Sequence, residues 1–95
     1  MPQGGGPEPF KLREVEMITT GAQIRAGRAL LRWRQSDLAE AAGLHPKAVA
    51  YWEAKTAIRG RGEEVGVGRI RAAFEAAGIS TFASPSPGLR IIARR

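Results

Sequence analysis

Residues 35–54, Gln-Ser-Asp-Leu-Ala-Glu-Ala-Ala-Gly-Leu-His-Pro-Lys-Ala-Val-Ala-Tyr-Trp-Glu-Ala, constrain this chain more tightly than any other stretch. Leu38, Ala42, Leu44, Val49 and Trp52 are spaced to turn apolar side chains into one crossing between two short helices. Ala39 is small enough to let the second helix approach the first. Gly43 falls where the first helix must end in left-handed backbone, a conformation that most residues resist. Pro46 suits the opening position of the second helix. Helices crossing steeply through so short a turn need these residue types at these places. All seven positions of the crossing, 38, 39, 42, 43, 44, 49 and 52, are filled accordingly.

The rest of the chain is organised around that pair. Residues 1–16, with Gly4, Gly5, Gly6, Pro2, Pro7 and Pro9, are expected to form a disordered tail. Met17 opens the organised part and is itself a candidate translation start. Thr20 and Gln23 have the spacing of a capping box, so a helix is expected from about Gly21 to Leu31, with Ile24 and Leu31 inward and Arg25 and Arg32 available to solvent. The two central helices are expected over 35–42 and 46–54. A Gly- and Arg-containing loop spans 56–65, and a fourth helix is expected from Val67 to Ala77, with Val67, Ile70 and Phe74 on one face. Two short apolar runs, 79–83 and 89–93, flank Ser84-Pro85-Ser86-Pro87-Gly88 and read as a hairpin or a long turn. The expected fold is therefore all-α: a small four-helix domain over 17–78 with a short β-hairpin-like C-terminal extension over 79–95.

Composition narrows the function. Ninety-five residues suffice for one small domain. The absence of cysteine removes disulfides and cysteine zinc sites, and the single histidine, His45, removes any multi-histidine metal centre. Neither a metal nor another cofactor is expected. Asp37, Glu40, Glu53, Glu63, Glu64 and Glu75 lie mainly on helical surfaces or in the loop with no second catalytic group beside them, so no catalytic residue is assigned. Glycines 60, 62, 66 and 68 do not spell Gly-x-Gly-x-x-Gly, because Val65 and Arg71 fill the final positions; a nucleotide loop is rejected. No apolar run approaches the ~20 residues of a membrane span. The first ten residues lack the apolar stretch of a secretory signal, and a cytoplasmic location is expected. The net charge of +6 suits a polyanionic partner or a merely solvated basic surface.

The constrained positions of 35–54 form a helix-turn-helix, and residues 17–78 resemble the phage repressor/Cro-like (XRE-type) helix-turn-helix family. The resemblance implies a repressor-like fold and binding to double-stranded DNA, with the third helix in the major groove. It places Pro46, Lys47, Ala50 and Tyr51 against base edges. Lys47 can donate to guanine O6 or N7, Tyr51 can bond a base or a phosphate, and Pro46 and Ala50 offer apolar contact. It places Gln35 on a backbone phosphate, flanked by Arg34, with Lys55, Arg59 and Arg61 gripping phosphates after the third helix. It also implies an ion pair between Arg28 and Glu53. The bland alternatives are solvated surface charges.

Three residues depart from that pattern. Arg34 replaces the usual hydroxyl cap of the second helix, Arg32 stands where a glycine commonly ends the first, and His45 occupies the hydroxyl cap of the third. The loop 56–65 also exceeds the family norm. The expected function is sequence-specific DNA binding in transcription regulation; the apolar residues of the C-terminal segment, Ile79, Phe82, Leu89, Ile91 and Ile92, either pair two copies into a homodimer or pack on the fourth helix of their own chain. The alternatives are an antitoxin that holds a toxin partner, and a protein-interaction module that no longer reads DNA.

Overall fold

Helix α1 (Gly21–Leu31) starts where a hydroxyl and an amide exchange hydrogen bonds across one turn. The Gln23 N–H donates to Thr20 Oγ1 at 3.2 Å and the Thr20 N–H donates to Gln23 Oε1 at 3.0 Å. The fold is described by a computed structural model over residues 17–58, 64–83 and 86–92. The expected tail over 1–16, together with Arg59 and Arg61, lies outside those residues.

Each α1 end has a local cause. At its C-terminus Arg32 takes φ +58° and ψ +38°, and the N–H groups of Arg32 and Trp33 return to Ala29 and Arg28 carbonyls at 3.2 and 2.9 Å. The arginine therefore adopts the left-handed conformation in place, without moving the helix end. Helix α2 (Gln35–Ala42) closes in the same way on Gly43 at φ +70°, with Leu44 N–H reaching the Ala39 carbonyl at 2.8 Å. Helix α3 (Pro46–Glu53) follows after Leu44 and His45 and stops one residue short of expectation, Ala54 serving as its cap.

Helix α4 (Glu64–Ala76) corrects the sequence reading, because it begins three residues before Val67. The added turn includes Gly66, a residue type that weakens a helix interior by roughly 1 kcal/mol. Its missing side chain serves packing: a Cβ there would stand 2.9 Å from the Trp52 indole nitrogen. Gly78, at φ +93°, follows α4 and turns the chain into strand β1 (Ile79–Phe82).

Strand β1 pairs antiparallel with β2 (Gly88–Ile91), Ile79 facing Ile91 and Phe82 facing Gly88. The hairpin is thus formed, with β1 ending one residue sooner than expected and β2 starting one residue and ending two residues sooner. It is not an appendage. Ile79 and Thr81 are fully buried, β1 lies against α4, and the buried Gln23 amide donates to the carbonyls of Phe82 at 2.7 Å and Gly88 at 3.1 Å. Among the described residues, four helices and a two-stranded sheet share one core around Ile24, Leu38, Val49, Ile70 and Phe74. That is a mostly helical small domain, and the all-α label holds only without its hairpin.

Candidate functional site

The α2–α3 pair is built as its sequence requires. Leu38, Ala39, Ala42 and Val49 are buried, while Leu44 and Trp52 are half-buried against the same core. Burying Val49 fixes the rotation of α3 and turns residues two positions either side of it outward. Pro46, Lys47 and Tyr51 are exposed, Tyr51 to 56%; Ala50 is half-buried, so less of its methyl is available.

Lys47, Tyr51 and Lys55 repeat every four residues and form one stripe along α3 and just past it. The Lys55 ammonium lies 5.0 Å from the Tyr51 ring centre and 5.6 Å from that of Trp52. The two rings meet edge to face at 4.9 Å. Such cation–π contacts stabilise an ammonium by about 0.5–1 kcal/mol at exposed sites, which orders both side chains beside the outward face. At the other end, His45 does the work of the missing hydroxyl: its Nδ1 accepts from the Lys47 N–H at 3.0 Å.

The inward side of α3 ends on a buried charge. Glu53 is 4% exposed, and Arg28 grips it through two bonds, Nε to Oε2 at 2.5 Å and Nη2 to Oε1 at 3.0 Å. The remaining Arg28 nitrogen, Nη1, donates to the Trp33 carbonyl at 3.0 Å. The Gln35 amide also donates to Glu53 Oε1 at 3.0 Å. One carboxylate therefore joins α1, α2 and α3. A bidentate, charge-assisted geometry fixes orientation, although a buried pair is weak evidence of net stability.

Gln35 stands at the first position of α2 as expected, with its amide turned to Glu53 in the free protein. Arg34 is the N-cap and leaves 82% of its side chain exposed. A guanidinium cannot accept a hydrogen bond, so the Asp37 carboxylate supplies half of a capping box by accepting from the Arg34 N–H at 2.8 Å. That backbone bond, then the Arg34 guanidinium, holds the Asp37 carboxyl below its usual range. The structure gathers Arg34, Gln35, Lys47, Tyr51 and Lys55 around α2 and α3. Arg59 and Arg61 fall outside the described residues.

Two contacts went unread in the sequence. Arg25 is exposed, as expected of the solvent side of α1, yet its Nη1 donates to the Glu53 carbonyl at 2.5 Å; its place three residues before Arg28 was the available signal. Arg69 on α4 brings a cation to the end of α2, with Nη1 3.4 Å from the Gly43 carbonyl. No spacing along α4 foretold that.

Among the described residues no cluster of His, Asp and Glu could hold a metal ion, and no helix is long and apolar enough to cross a membrane. No protein-family model, curated protein or solved structure matches this chain.

Proposed function

We propose that this protein is a sequence-specific double-stranded DNA-binding regulator of transcription, built on a repressor-like helix-turn-helix formed by α2 and α3. The observation that carries the reading is the division of α3 into two sides. Val49 and Glu53 tie one side to the core, while Pro46, Lys47 and Tyr51 stand free of it on the other. A helix held in this manner fits a major groove about 12 Å wide and can offer Lys47 to a guanine edge. Arg34, Gln35 and Lys55 flank that face and suit backbone phosphates, where they set affinity and register. The charge of +6 favours association with a polyanion. Binding to operators would act by steric exclusion or by recruitment, and two copies would occupy two half-sites.

Selection of bound duplexes from a random library tests the reading. A defined consensus is expected, with salt-dependent affinity. Lys47→Ala should cost ~1–3 kcal/mol on that consensus and relax one base pair. Lys55→Ala should weaken all duplexes alike and reduce the salt slope by about one unit. Selection that returned no preferred sequence would exclude base reading by α3.

A further inference from the structure

Helix α3 carries no basic residue in its own last turn, yet its final carbonyls form the negative end of a helix and lack intrahelical partners. The compensation comes from α1. Arg25 Nη1 donates to the Glu53 carbonyl at 2.5 Å while Arg28 holds the Glu53 carboxylate. The Gly21 N–H donates to the Lys55 carbonyl at 2.9 Å, and a Cβ on Gly21 would stand only 2.2 Å from the Glu53 carbonyl oxygen. Backbone therefore touches backbone here, and the exposed Arg25 side chain adds its bond to the same Glu53 carbonyl.

From this we propose that Arg25 is a positioning residue: by clamping the last carbonyl of α3 to α1 it fixes the tilt of that helix, and so governs base choice without contacting a base. The inference rests on the DNA-binding reading for its consequence, and on the free protein alone for its clamp. Eight residues span ~12 Å, so a tilt of ~10° about the clamped end displaces the Pro46 end by ~2 Å. A direct hydrogen bond to a base edge does not survive such a shift.

The test has two arms. In the full-length chain, Arg25→Met should speed amide exchange at Gly21, Ala54 and Lys55 about tenfold, with Leu38 of α2 unchanged; Arg25→Lys, which keeps one donor, should restore part of the protection. Unchanged exchange at those three amides overturns the clamp, and this arm uses no DNA. In the second arm, Arg25→Met should lower the ratio of consensus to random-duplex affinity about tenfold, the size of one lost base contact, with the salt slope intact. A slope reduced by about one unit with the ratio unchanged would make Arg25 a phosphate ligand and overturn the positioning role. If the wild-type chain bound no duplex, the DNA reading would fall while the exchange arm still decided the clamp.

Discussion

Arg32 shows how one residue can satisfy a helix end and still be the wrong residue for it. At φ +58° its Cβ crowds the neighbouring carbonyl, a conformation that costs an L-residue roughly 1–2 kcal/mol and glycine almost nothing. The bonds from the Arg32 and Trp33 N–H groups to the Ala29 and Arg28 carbonyls offset part of that, and past the turn Trp33 stacks by Phe74 with ring centres 6.4 Å apart. Arg32→Gly should therefore stabilise the protein by about 0.5–1 kcal/mol, the relief of strain less the extra freedom of glycine in the unfolded chain. Urea denaturation would measure it, and a destabilised variant would mean that the arginine side chain makes a contact outweighing the strain. An arginine standing in a glycine's place left strain or a shifted helix end as the two outcomes, and the backbone at Arg32 decides for strain.

At the scale of elements, legibility depended on whether the reason for a residue lay within its own helix. The exchange between Thr20 and Gln23 that caps α1 is local and could be read, whereas the Gln23 bonds to the Phe82 and Gly88 carbonyls could not; Gly43, whose task is local, could. Gly21 and Gly27 could not. Along α1 they look like weak points, but Gly21 lies on the backbone at Glu53, and a Cβ on Gly27 would sit 2.5 Å from the Phe74 ring. Contacts of that kind belong to pairs of elements and leave no period in either one. The start of α2 gave a mixed result: the missing hydroxyl at Arg34 was evident, the substitute at Asp37 was not. Because the Arg34 N–H lowers the Asp37 pKa on folding, the carboxylate adds stability above its unfolded pKa and loses it as pH falls through the folded one. Denaturation of the wild type and Asp37→Asn between pH 7 and pH 2 should show a wild-type advantage at neutral pH that narrows on the acid side. A gap that stayed constant with pH would deny the charge any part in capping α2.

Over the whole molecule, the apolar residues of 79–95 were visible in the sequence, but the choice between burial in their own chain and pairing with another depended on tertiary contacts, and in the structure the hairpin is a wall of the core. Those contacts divide the segment. Ile79 and Thr81 go inward and Leu89 packs against the core, while Ile91, the last residue of the second strand, and Ile92 just past it remain 47% and 55% exposed. We attach the proposed two-fold pairing to this outer pair, since one α3 covers a single half-site and two copies are needed to span a palindrome. Replacing both Ile91 and Ile92 with lysine leaves the inward residues untouched, so the variant should fold and bind an isolated half-site as the wild type does. On a palindromic duplex its apparent affinity should fall by ~10²–10⁴, the gain that linking two binding events supplies. Light scattering of the two proteins on that duplex is the measurement: two wild-type copies bound cooperatively against variant copies bound independently. A wild-type chain that stayed monomeric both free and on the palindrome would leave Ile91 and Ile92 as ordinary surface residues and confine the DNA reading to a single half-site.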